Sequence, residues 1–253
     1  MKHCSGNART LAIVLLSLCL LFPALAGCGT QAGWSPVGGQ TSPDEQGMVI
    51  DWMDFVQFGG ITYQAVSPRP GRALTANDLG PVLATVHFQL DGHVHAANYR
   101  SKDGDAAYLA AGTKVYLVKG YTPAFRLAAY EQGSLTLYEA DTNPHAHKGA
   151  DLLDIGGKVT YIGVNSEQDG VTELGAIKEQ AQVSALITVV LQAPVDQSRV
   201  GQGEIRYFIA FHLLDGTVVL RAFWPQSGVM QRGILLPPAF GDAIERAVAQ
   251  NPS

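Results

Sequence analysis

Short runs of alternating apolar and polar residues recur along most of this chain, and turn residues separate them. Asp54 to Phe58 and Ile61 to Val66 flank Gly59-Gly60, a dipeptide that favours the tight turns of a hairpin. Val82 to Leu90 alternates as a strand and stops at Asp91-Gly92. Thr113 to Val118 puts Val115 and Leu117 on one face. Ala124 to Tyr130 and Ser134 to Tyr138 predict a second hairpin around Glu131-Gln132-Gly133, and Pro68 and Pro70 break the ladder between the early strands. Short strands at this spacing predict a small β-barrel or a sandwich-like domain over residues 48–141.

The pattern changes after Thr142. Residues 142–150, TNPHAHKGA, are polar and read as a linker. Val159 to Val164 predicts a strand and Glu167 to Gly170 a turn. Ile177 to Leu191 has mostly helical spacing, although its second half is rich in β-branched residues. Tyr207 to Leu213 and Thr217 to Phe223 flank Leu214-Asp215-Gly216 as a hairpin, and Gly228 to Leu236 adds a strand. Pro237-Pro238 opens a last helix over 239–249, with Ile244 and Val248 on its buried face. Residues 151–253 thus predict an antiparallel-sheet domain with two packed helices, an α+β arrangement, beside the mainly β first domain. No internal repeat is evident.

The N-terminus follows a different rule. Lys2 and Arg9 precede Leu11 to Phe22, an almost unbroken apolar run. Its length, about 12 residues, is that of a secretory h-region and falls short of the roughly 20 needed to cross a bilayer core. Leu25-Ala26-Gly27-Cys28 follows at once and resembles the lipobox of bacterial lipoproteins. The resemblance implies removal of residues 1–27 and attachment of lipid to Cys28. It places the protein on the extracytoplasmic face of a bacterial cell membrane. Residues 28–47 are rich in Gly, Ser, Pro and Gln. They read as a tether, with about 19 residues of coil spanning roughly 25 Å.

Composition narrows the partners. The formal charge of the 253-residue chain is −5, and losing Lys2 and Arg9 makes the remainder more acidic. With no cluster of Lys or Arg, nucleic acid is not an expected partner. The 3 cysteines are Cys4, Cys19 and Cys28, so beyond the anchor the chain has no disulfide, thiolate metal site or cysteine nucleophile.

A second resemblance covers residues 50–140. Phe55-Val56-Gln57-Phe58-Gly59-Gly60-Ile61-Thr62-Tyr63, with Gly112-Thr113-Lys114-Val115-Tyr116-Leu117-Val118-Lys119-Gly120-Tyr121, is similar to uncharacterised bacterial surface lipoproteins. That family implies an anchored extracellular domain and brings no assigned activity or functional residues.

Candidate chemistry is sparse. His93-Val94-His95 and His145-Ala146-His147 are two His-x-His pairs. Residues two apart on a strand share a face, so His93, His95, His145 and His147 are candidate ligands for Zn or Cu, with Asp91 or Asp151 as an added oxygen. Asp51/Asp54 and Asp103/Asp105 read as turn and surface acids. There is no G-x-S-x-G, no H-E-x-x-H and no P-loop. The expected function is a non-catalytic, membrane-anchored binding module for a protein or envelope component. A metal-binding surface protein is one alternative. A hydrolase of envelope polymers is another.

Overall fold

Two strands that follow each other in the chain form opposite ends of one sheet. The structure, a computed structural model, describes residues 51–66, 71–96, 98–131, 133–201 and 206–250. The expected export signal, Cys28, the expected tether, Pro68 and Pro70 lie outside the described residues. The first sheet comprises β1 (Phe55–Phe58), β2 (Ile61–Ala65), β3 (Leu79–Thr85), β4 (Phe88–Gln89), β5 (Asp105–Ala106), β6 (Lys114–Val118), β7 (Arg126–Glu131) and β8 (Ser134–Thr142). Its order is β3-β6-β7-β8-β2-β1-β5-β4. Laid flat, eight strands would hold their ends about 33 Å apart. Thr85 and Phe88 are joined by Val86-His87, a link of roughly 11 Å at full stretch. The sheet therefore curls towards itself, and the expected Val82–Leu90 strand bends at residues 86–87 to supply both edges.

The inside of the curl is apolar. Val56, Phe58, Tyr63, Val86, Leu109, Val115, Leu127 and Tyr138 form one core. Leu127 and Ala129 point inward from β7, as do Tyr138 and Ala140 from β8. By alternation, Arg126 and Glu139 face outward. Strand β5 was not apparent from the alternation, because it is two residues long.

The second sheet comprises β9 (Val159–Asn165), β10 (Glu173–Ile177), β11 (Tyr207–Leu213), β12 (Val218–Trp224), β13 (Val229–Met230) and β14 (Ile234–Leu235), in the order β10-β9-β11-β12-β13-β14. All its pairings are antiparallel. Helices α1 (Gln180–Gln192) and α2 (Pro238–Ala249) bring Val183, Leu186, Phe240 and Ile244 onto Ile162, Val164, Ile209 and Phe211. Helix α1 begins three residues later than its periodicity suggests. Ile177 ends β10, and the Glu179 carboxylate caps the helix by accepting from the amides of Ala181 (2.9 Å) and Gln182 (2.7 Å). The β-branched segment ITVVL stays helical because Ile187 and Val190 are buried in the core. Pro237 is the N-cap of α2 and Pro238 its first residue, where a missing amide proton costs nothing.

Both sheets lie within one compact unit, Gln46–Ser253. Residues 142–150 fall between them and are well packed: Asn143, Ala146 and Gly149 are buried. A Cβ at Gly149 would sit 2.0 Å from the Val190 carbonyl oxygen, so only glycine fits against the end of α1.

Charge joins the two sheets. The buried Glu139 carboxylate accepts from Arg126 Nη2 at 2.8 Å and Arg221 Nη1 at 2.8 Å. Arg126 Nη1 also donates to Thr217 Oγ1 (2.9 Å), which donates to Asp215 Oδ1 (2.7 Å). Asp215 Oδ2 accepts from the Tyr121 hydroxyl at 2.7 Å. Nearby, Arg232 donates to the Ala140 carbonyl and to Asp141 Oδ1 (2.7 Å). Its own φ is 75°, a left-handed conformation that L side chains adopt at a cost.

Candidate functional site

An apolar groove is lined by the first hairpin, β3 and the turn before β7. Phe58, Gly59, Ile61 and Tyr63 come from the first hairpin, Leu83 and Ala84 from β3, and Pro123 and Ala124 from the turn before β7. Its volume is about 360 Å³, within the range of small-ligand pockets.

Three local features build it. Gly59 and Gly60 adopt φ of 60° and 72°. Their turn folds β1 back onto β2, and the Gly60 amide donates to Asp103 Oδ1 at 2.9 Å. Strand β3 pairs irregularly with β6: the register shifts between Val82 and Ala84. A bulge of this kind breaks the strict alternation of faces, and the adjacent Leu83 and Ala84 both line the groove. Finally, the Tyr63 hydroxyl donates to the Pro123 carbonyl at 2.9 Å, fastening the β6–β7 turn across the opening. Burial, then the charge of Asp103, push the Tyr63 phenol up to about 12. It stays protonated at neutral pH, so the donor is kept. The apolar surface continues outward along the sheet edge, where Val82 is 46% and Leu83 42% exposed.

The histidines are placed differently. His93 lies in the turn after β4, exposed, with Nδ1 3.1 Å from the Asp91 carbonyl and its ring 5.8 Å from that of Phe88. His95 is exposed beyond it. His145 and His147 are exposed in the segment between the sheets. Asp151 is occupied there. Its Oδ2 accepts from the amides of His147 (2.9 Å) and Lys148 (3.0 Å). Burial acts to raise its pKa, but these two bonds outweigh it and hold the carboxyl below its usual range. Among the described residues, no three of His, Cys, Asp and Glu form a group that would hold a metal ion.

The carboxylate pairs have separate duties. Asp54 accepts weakly from the Tyr138 hydroxyl at 3.3 Å. Asp103 pins the hairpin. Asp105 is buried rather than superficial: it accepts from the Tyr99 hydroxyl and the Lys102 amide, both at 2.8 Å. Its partners organise the loop that leads into β5.

The groove residues were not singled out by their sequence. Each reads as ordinary core or turn, and the bulge that gathers them leaves no signature in the alternation. No protein-family model, curated protein or solved structure matches this chain. Among the described residues, no helix is long and apolar enough to cross a membrane.

Proposed function

We propose that this chain is a lipid-anchored, extracytoplasmic binding protein whose groove receives an apolar group of an envelope component. The groove of about 360 Å³ carries the reading. Its walls are almost entirely carbon, so occupancy is driven by burial of apolar surface, at roughly 25 cal/mol per Å². The exposed Val82 and Leu83 extend the apolar face beyond the opening. The export signal and the lipobox resemblance at Cys28 support the location. The tether lets the folded part stand off the membrane surface.

A fluorescent apolar probe, N-phenyl-1-naphthylamine, tests the reading with residues 29–253 in lipid- and detergent-free buffer, where no bilayer takes up the probe. The expected result is saturable enhancement with one site per chain. Ala84→Trp, which fills the groove, abolishes it while the far-ultraviolet circular dichroism is retained. Equal enhancement in wild type and Ala84→Trp overturns the assignment of the groove.

A further inference from the structure

The second sheet has a face that the helices do not cover, and its centre is a glycine. Ile162 and Val164 of β9 point into the core, as do Ile209 and Phe211 of β11. Their neighbours Tyr161, Gly163, Asn165, Ala210 and His212 therefore lie on the opposite face. Pairing sets Ala210 beside Gly163 and His212 beside Tyr161, while Glu173 of β10 pairs with Asn165. Gly163 and Ala210 make a floor of small residues, and polar side chains rise around it.

Those side chains converge. A Cβ placed on Gly163 would lie 3.0 Å from Glu173 Oε2, 3.3 Å from His212 Nε2 and 3.4 Å from Asn165 Oδ1. The His212 ring stacks on Tyr161, with centroids 3.9 Å apart and planes 9° from parallel, which fixes the direction of Nε2. The Asn165 amide is fixed too: its Nδ2 donates to the Gly170 carbonyl at 3.0 Å. Its Oδ1 is buried without a hydrogen-bond partner, and the residue is 4% exposed. A buried acceptor left in this state calls for an occupant.

We propose that Glu173 Oε2, His212 Nε2 and Asn165 Oδ1 bind one divalent transition-metal ion above Gly163. One imidazole nitrogen and two oxygens suit Zn²⁺ and Co²⁺ better than Mg²⁺ or Ca²⁺, which take oxygen ligands. Coordination needs each donor at about 2.0–2.2 Å, within reach of small side-chain movements from the present positions. Three protein ligands leave a position open to water or a ligand group. The site uses none of the His-x-His histidines and is independent of the apolar groove.

The test is titration of the untagged full chain with Co²⁺, followed by visible absorption and competition with Zn²⁺. Wild type binds one ion per chain and shows a ligand-field band. Glu173→Gln changes an exposed side chain and leaves the fold intact; it weakens binding at least tenfold. Gly163→Ala, whose methyl group occupies the converging point, does the same. A variant with His93, His95, His145 and His147 all changed to Ala keeps the band. The proposal is overturned if wild type binds no stoichiometric metal, if Glu173→Gln binds as wild type does, or if binding follows the four His-x-His residues.

Discussion

Glu139 and Arg221 meet at 2.8 Å, though 82 residues separate them in the chain and neither side chain reaches solvent. Glu139 lies on the outer face of the curled sheet and Arg221 on β12 of the second. Arg126 takes the other oxygen of the same carboxylate. One acid thus balances two guanidiniums from opposite sides of the joint. Removing its charge leaves Arg221 buried without its carboxylate partner and Arg126 with only the nearby charge of Asp215, and breaking a buried pair in this way costs about 3–5 kcal/mol. Glu139→Gln should lower the thermal midpoint by on the order of 10 °C, as followed by circular dichroism.

The neighbouring Asp215–Tyr121 bond sets how this joint responds to pH. Burial alone would raise the Asp215 pKa, but the Tyr121 hydroxyl, the Thr217 hydroxyl and amide, and the charge of Arg126 together bring it below the usual value. A lowered carboxyl contributes stability above its unfolded pKa of about 3.9 and loses it as pH falls towards the folded value. Tyr121 runs the other way. Burial and the bond to Asp215 push it up to about 12, so its contribution holds below pH ~10 and is lost as pH rises through the folded value. Denaturant midpoints from pH 2 to 11 should show Asp215→Asn less stable than wild type at neutrality, with the gap closing in acid. A gap that stays constant down to pH 2 would rule out this linkage.

Leu83 separates binding from stability. It is 42% exposed yet lines the groove. Substitution at an exposed position changes stability by roughly 0.5 kcal/mol or less. A charge there would sit at the mouth of an apolar site. Leu83→Asp should leave the denaturant midpoint near that of wild type and weaken binding of N-phenyl-1-naphthylamine at least tenfold, read from fluorescence titration.

The hairpins around Gly59-Gly60 and Asp215-Gly216 were legible, because such turns leave few alternatives. The curl was legible only in outline: the alternation over Val82 to Leu90 runs on, while the chain bends at Val86-His87 between two edges of the sheet. Strand β10 was hidden by Gly175, whose bare Cα lets the Ala247 backbone approach within 2.3 Å of the Cβ position. Arg126 and Glu139 are charged residues within strands, and a period of two cannot say whether their outward face meets water or a second layer; Arg221 shares the face of Val219 and Phe223, so alternation does not mark it as a partner of Glu139. The groove and the Gly163 cluster depend on a bulge and on cross-strand register, which arise only once strands that are distant in sequence have paired.

Cys28 has the most direct test, since the anchor makes a physical claim. Each buried methylene of an attached lipid is worth about 0.8 kcal/mol, so one acyl chain holds a protein marginally and two hold it firmly. A diacylglyceryl thioether would move the whole chain into a detergent-rich phase despite the charged folded part. On expression of the full sequence in a bacterium that processes lipoproteins, wild type should partition into the detergent phase of Triton X-114. Cys28→Ser keeps the apolar run from Leu11 to Phe22 but offers no thiol for the lipid. It should remain unprocessed or, if a general signal peptidase accepts it, appear in the aqueous phase. Intact-mass measurement distinguishes the two, because retention of residues 1–27 adds the mass of the signal and lipidation adds that of the acyl chains. Wild-type protein that is cleaved, carries no lipid mass and partitions with the aqueous phase would refute the anchor and leave Cys28 a secreted thiol.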